Sequence, residues 1–250
     1  MLSRLYLGAV LPCLADLTEQ DGAAREILGH LHASIVFLVL KGPSCTLRLQ
    51  DGRIAWQPGC GRAPAVILAF LGARHLNAFF SGRRWAVPLP IWGGWRVGLL
   101  SRFSQLAQRL EEVLDGTPSV LASAEGRRLH ARLSLILAVL ALRALAQGDA
   151  PSREILAALP PGLASFTIRG ELSATMWFEH GSNRAGRGEP PRCPEVRIVF
   201  DDVATAYGAM REEIDTMAAL GSGKIQVDGL VPLADGLNAV MERLRVYLKP

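Results

Sequence analysis

The chain is short of charge, short of lysine and short of any long apolar run, and each shortage excludes something. Only a fifth of its 250 residues are charged while half are hydrophobic, which excludes a disordered chain. The net charge of +4 is thinly spread, with twelve basic against nine acidic residues in 1–125 and fifteen against fourteen in 126–250. That excess is too small and scattered for a nucleic-acid footprint, although a mild attraction to anionic lipid remains. Only three of the 27 basic residues are lysine, a bias with no mechanism attached. The four cysteines, Cys13, Cys45, Cys60 and Cys193, form no C-x-x-C pair. They read as reduced thiols in a cytoplasmic protein.

Catalytic signatures are missing too. No G-x-S-x-G elbow or dinucleotide fingerprint occurs. Gly221-Ser222-Gly223-Lys224-Ile225 fails as a phosphate loop, because Ala218 stands where glycine is needed and Ile225 where Ser or Thr is needed. His30 and His32 have ligand-like spacing without a carboxylate cluster. Asp201-Asp202 and Glu212-Glu213 read as a helix cap and a solvated face. The expectation is a non-enzymatic protein with no cofactor and no metal.

What the chain does contain is itself, twice. Arg25-Glu26-Ile27-Leu28 returns as Arg153-Glu154-Ile155-Leu156, and Pro64-Ala65-Val66-Ile67-Leu68-Ala69-Phe70 as Pro194-Glu195-Val196-Arg197-Ile198-Val199-Phe200. Phe37 with Phe166, Leu110 with Val240 and Leu114 with Leu244 fall on the same diagonal. A period near 129 is too long for a solenoid and suits two domains, expected at 1–118 and 127–250. The repeat also reclassifies two membrane-like stretches. Residues 1–17 resemble a signal peptide and 133–146 form the longest apolar run, interrupted by Arg143. Arg4-Leu5-Tyr6-Leu7 aligns with Arg132-Leu133-Ser134-Leu135, so each stretch reads as the first helix of its domain.

Each copy has one order: apolar helix (2–17, 127–147), short amphipathic helix (22–32, 151–159), strands, helix, last strand, amphipathic helix. Strands are expected at 35–40, 45–49, 53–56 and 66–70 in copy one, and at 165–169, 174–179 and 196–200 in copy two. A Gly/Arg/Pro-rich loop over 181–194 stands in for the third strand of copy two or its turn. Residues 93–98 lie on the diagonal with the last strand, and the final helices pair Phe103, Ala107, Leu110 and Leu114 with Leu233, Leu237, Val240 and Leu244.

Gly223-Lys224-Ile225-Gln226-Val227-Asp228-Gly229 followed by Leu233-Ala234 resembles the C-terminal part of the sterol carrier protein type two family, as does Val199-Phe200-Asp201-Asp202 with the helix after it. The resemblance covers about 166–248 and, more faintly, 37–114, where 93–98 lacks the Gly-Lys pair and the closing glycine. It implies an α+β fold: tandem sterol-carrier-like domains, each a mixed five-stranded sheet with helices packed on one side. It also implies an apolar tunnel for fatty acyl chains, sterols or isoprenoids. Some relatives hold intermediates of quinone synthesis; others are accessory domains of enzymes.

Candidate ligand-binding residues are Met210, Ile214 and Met217, at helical spacing in an acidic, helix-like stretch, with Leu233, Leu237, Val240 and Met241 on the final helix. Methionine adapts to ligands of varied shape. An ordinary core gives the same stripe. In copy one the segment 79–95 differs most, and it contributes Phe80, Trp85, Trp92 and Trp95. Its tryptophans read either as plugs of the domain's own core or of the seam between copies, or as a membrane-touching lip, with Arg83-Arg84 facing phosphates. The functional expectation is an apolar-ligand carrier. The alternative is a ligand-free scaffold or accessory module for a lipid-metabolising enzyme or membrane complex. Expected partners are the hydrophobic ligand, a peripheral membrane contact through the tryptophans and a partner enzyme, with no nucleic acid.

Overall fold

The computed structural model describes residues 1–62, 64–83, 85–171, 175–211 and 213–248. The chain divides into two compact units, Met1–Glu112 and Val113–Pro250. Ala174, Arg84 and Glu212, which figured in the sequence reading, lie outside the described residues.

The first unit opens with α1 (Leu2–Leu5), which passes through a π-helical turn (Tyr6–Val10) into α2 (Cys13–Gln20). Pro12 explains the wide turn: it has no N–H to give, and the ladder steps around it with Leu11 N donating to Tyr6 O at 2.9 Å. Then come α3 (Gly22–Leu28), β1 (Ala33–Val39), β2 (Ser44–Gln50), β3 (Arg53–Pro58), β4 (Val66–Phe70), α4 (Ala73–Phe80), β5 (Leu89–Trp92) and α5 (Val97–Asp115). The second unit has α6 (Pro118–Leu121), α7 (Ala124–Gly148), α8 (Ala150–Ala157), β6 (Gly162–Ile168), β7 (Met176–His180), β8 (Arg184–Arg187) and β9 (Val196–Phe200). It closes with α9 (Val203–Met210), α10 (Thr216–Gly221), β10 (Ile225–Gly229) and α11 (Val231–Leu248).

The fold class is α+β with two five-stranded mixed sheets. Their orders are β3-β2-β1-β4-β5 and, read from the other end, β8-β7-β6-β9-β10. In each sheet the central pair is parallel, with Phe37 opposite Leu68 and Phe166 opposite Ile198, and the other pairings are antiparallel. Edge bonds recur as well: Leu40 N donates to Phe70 O, and Arg169 N to Phe200 O, both at 2.9 Å.

One pair of contacts ties helix to helix in each unit. Asp21 caps α3 by accepting from Ala23 N at 3.1 Å and pairs with Arg109 Nε of α5 at 2.8 Å. Asp149 caps α8 by accepting from Ser152 N at 3.0 Å and pairs with Arg243 Nε of α11 at 2.6 Å. The two caps have the same backbone, φ −103° and ψ 117° against φ −104° and ψ 117°. A carboxylate at this position satisfies first-turn N–H groups that have no partner within the helix.

Helix α7 is long and apolar enough to cross a membrane, yet 72% of its apolar window is buried within the fold. It packs on α9, α11, β7 and β8.

Five expectations need correction. The loop over 181–194 contains a strand, β8, in which Arg184 and Ala185 pair with Glu179 and Phe178 of β7. Hydrophobic alternation missed it because Gly186 lies under Trp177, where a Cβ would be 2.4 Å from Cζ2 of the ring. Arg211 and residues 213–215 are not helical: α9 ends at Met210, and Asp215 starts α10 by accepting from Met217 N and Ala218 N. The last strand of the first unit is Leu89–Trp92, not 93–98, and Val97 already opens α5. The closing glycine is also present after all. Gly93 at φ +74° and Gly229 at φ +104° both press on the residue before the inner strand, so that a Cβ would lie 2.0 Å from Ala65 O or 2.1 Å from Glu195 O. Finally, the Asp–Arg ties set the last helices 134 residues apart, not 130. Four residues is about one helical turn, so the apolar stripe matches at either offset.

Candidate functional site

In the first unit the face of the sheet turned toward α5 is filled with rings. Phe37 of β1 lies 5.4 Å from Phe103 of α5 and 6.4 Å from Phe70 of β4. Phe79 lies 5.5 Å from Phe70, and Phe80 stacks on Tyr6 at 4.6 Å. Phe80, a candidate ligand contact, is thus a half-buried member of this cluster. Leu68 and Phe70 are only 3% and 1% exposed.

In the second unit the same positions carry less bulk. Phe79 and Phe80 at the end of α4 correspond to Ala209 and Met210 at the end of α9, and Phe103 to Leu237. On β9, Val196 is fully buried, but Ile198 and Phe200, the counterparts of Leu68 and Phe70, are half-exposed. Met210, Ile214, Val227 and Met241 are half-buried too. The apolar face therefore opens toward the C-terminal end of β9.

The predicted residues divide accordingly. Leu233, Leu237 and Val240 are fully buried on α11, with Leu233 held against Gly162 of β6. Ile214 packs on α9, where a Cβ at Gly208 would lie 2.9 Å from its Cγ2. It also lines an open cleft of about 580 Å³ with Ala204, Thr205, Ala218, Ala219 and Lys224 among others. Met217 points away from the interior, 75% exposed. The break at residue 211 takes it off the face shared by Met210, so the three-residue stripe does not form.

Trp85, Trp92 and Trp95 are 67%, 55% and 71% exposed, so none is a core plug. Trp85 stacks on His75 at 6.3 Å. The imidazole is fixed by Leu71 N donating to its Nδ1 at 3.2 Å and by its Nε2 donating to Val87 O at 3.0 Å. Trp92 and Trp95 meet edge to face at 5.5 Å. Both line a second cleft of about 520 Å³, at the end of the sheet formed by β1, β2 and β5. Arg48 and Arg96 line it as well. Sequence reasoning missed these two arginines, since nothing local joins positions 48 residues apart.

Asp201, Asp202, Glu213 and His32, considered above for acid/base or metal chemistry, are engaged structurally. Asp202 caps α9 through Thr205 N at 2.7 Å, and that bond holds its carboxyl below the usual range. Asp201 pairs with Arg169, and Glu213 with Arg211. His32 pairs with Asp51 at 3.0 Å. Among the described residues no group of three or more His, Cys, Asp and Glu is placed to hold a metal ion. Burial pushes the Cys45 thiol up to about 12 despite a bond from Trp56, so it is a poor nucleophile.

Neither a protein-family model nor a curated protein matches the chain. Among solved structures it is similar to sterol carrier protein 2 like 2 of Aedes aegypti, with 16% identity and a TM-score of 0.31 over 42% of this chain and 94% of that one. The palmitated form of a mosquito protein of the same name, in solution, gives 16% identity and 0.32 over 43% and 91%. Sterol carrier protein domain 2 of Helicoverpa armigera gives 14% identity and 0.34 over 47% and 92%.

Proposed function

We propose that the chain is a duplicated sterol-carrier-type protein that binds an acyl, sterol or polyprenyl-type ligand without catalysing a reaction, acting in the cytoplasm. One observation carries this reading: the apolar face that rings fill in the first unit is left partly uncovered in the second, at Ile198, Phe200, Met210, Ile214 and Val227. An apolar chain laid on that face gains about 25 cal/mol for each Å² removed from water. The twin Asp–Arg ties and the shared strand order support descent from one copied domain, and the strand 225–229 with its Leu-Ala helix supports the lipid-carrier type. In this reading the first unit has lost its cavity to aromatic packing and keeps a supporting role. Buried Leu233, Leu237 and Val240 form the floor, and Met210, Ile214 and Met241 adapt to the ligand.

The reading is tested by titrating the protein with cis-parinaric acid and following its fluorescence. Saturable enhancement is expected, abolished by Met210→Asp and retained by Phe80→Leu, with melting curves showing that both variants are folded. No enhancement in the wild type would favour the alternative, a ligand-free module that docks a lipid-metabolising enzyme.

A further inference from the structure

The segment 85–97 of the first unit exposes an uncommon amount of apolar surface. Trp85, Val87, Leu89, Ile91, Trp92, Trp95 and Val97 are between 47% and 71% exposed, and Leu71, which donates its N–H to His75 below Trp85, is 68% exposed. Isolated exposed side chains need no account, but a run of this kind marks a binding surface. Charge identifies the partner. From residue 52 to residue 110 the sequence contains no Asp or Glu and eight arginines. Of these Arg53, Arg62, Arg74, Arg83 and Arg96 are exposed. Arg48 joins Arg96 in the cleft walled by Trp92 and Trp95, and neither is ion-paired to a described carboxylate. No carboxylate is among the described residues that line the cleft, and Asp51, next in sequence to its Gln50, pairs with His32.

We propose that this surface docks the protein on a membrane containing anionic lipid, with the tryptophans at the headgroup boundary and one lipid phosphate held in the cleft between Arg48 and Arg96. Indole rings are apolar with one polar N–H, which suits that boundary, and guanidinium groups bind phosphate in a fork geometry. A protein strand is the poorer occupant: β5 is an edge strand, but Pro90 removes an N–H from it and its pairing with β4 slips at Ile67/Leu68. The proposal does not depend on any ligand in the second unit.

The test is sedimentation of the full chain with vesicles of phosphatidylcholine alone or with 30% phosphatidylglycerol, in low and in 0.5 M salt. The wild type should partition onto the anionic vesicles, weaken in high salt and show a blue shift of tryptophan emission. Removing one basic charge near such a surface weakens partitioning about fivefold, so Arg48→Gln with Arg96→Gln should weaken it about 25-fold. Trp92→Ser with Trp95→Ser should remove the blue shift and most of the binding. Both pairs are exposed, so melting curves should match the wild type. Equal binding to neutral vesicles, no binding, or binding indifferent to the arginine pair would overturn the proposal. So would a concentration-dependent dimer that the tryptophan pair dissolves while vesicles stay unbound.

Discussion

Replacing Asp149 should loosen the second unit locally by a calculable amount. The carboxylate is 3% exposed and accepts from Ser152 N at 3.0 Å, from Ser152 Oγ, from Arg243 Nε at 2.6 Å and from Tyr247 OH. Asp149→Ala removes a helix cap, at about 1 kcal/mol. It also strands the donors of Ser152, which is fully buried, at about 2 kcal/mol more. Together these raise the opening equilibrium of α8 about 150-fold. Asp149→Asn keeps an acceptor for Ser152 N and should cost about half as much in free energy. The assay is native-state hydrogen exchange read by mass spectrometry on peptides of α8, with α3 of the first unit as control. Burial alone would raise the Asp149 carboxyl, but the bonds from Arg243, Ser152 and Tyr247 outweigh it and hold it well below the usual range. A folded value below the unfolded one means the stabilisation is complete above about pH 4 and is lost on acidification. The aspartate protein should therefore lose α8 protection below pH 4, and the asparagine variant should not lose this component. Equal exchange in the alanine and asparagine variants would refute the reasoning.

Other outcomes follow from the same packing. Gly93→Ala and Gly229→Ala each drive a Cβ onto a backbone oxygen at positive φ and should cost at least about 3 kcal/mol in urea unfolding. Gly59→Ala, at φ +80° with open space around it, should cost about 1 kcal/mol. Of the four thiols, exposed Cys60 and Cys193 should react rapidly with Ellman's reagent, and buried Cys13 and Cys45 only after denaturation. Four fast thiols would contradict the packing. Burial pushes the His130 imidazole below its ordinary value, against the opposing bond to Val113 O at 2.7 Å. Its contribution is thus full above about pH 6.5 and lost as pH falls below that, so His130→Leu should flatten the stability profile on the acid side of about pH 6.5.

The strands and the doubled order were legible because strand side chains alternate strictly, and Val66-Leu68-Phe70 and Val196-Ile198-Phe200 kept that alternation. The final helices were placed one turn out of register, since an apolar stripe repeats within a single helix. What fixes the register is polar: Asp21 with Arg109 and Asp149 with Arg243, each joining residues more than 85 positions apart. Asp21 and Asp149 do sit one residue before a helix in both copies, which is the one trace of this register in the sequence. β8 hid because it buries no run of apolar side chains: Gly186 leaves room for the Trp177 ring and Arg184 lies 6.0 Å from that ring's centre. The aromatic segment was ambiguous for a different reason: a tryptophan in a Pro/Gly-broken stretch has the same letters whether it plugs a core or faces solvent. The same holds for Met217, whose exposure follows from a helix break at Arg211 that no apolar period announces.

The most direct measurement is native mass spectrometry of protein freshly purified under mild conditions. The account predicts the 27.0 kDa chain together with a heavier population carrying a non-covalent apolar molecule. That population should vanish in Met210→Asp and persist in Trp92→Ser with Trp95→Ser. A uniformly bare chain, with a melting temperature unmoved by added fatty acid, would contradict it.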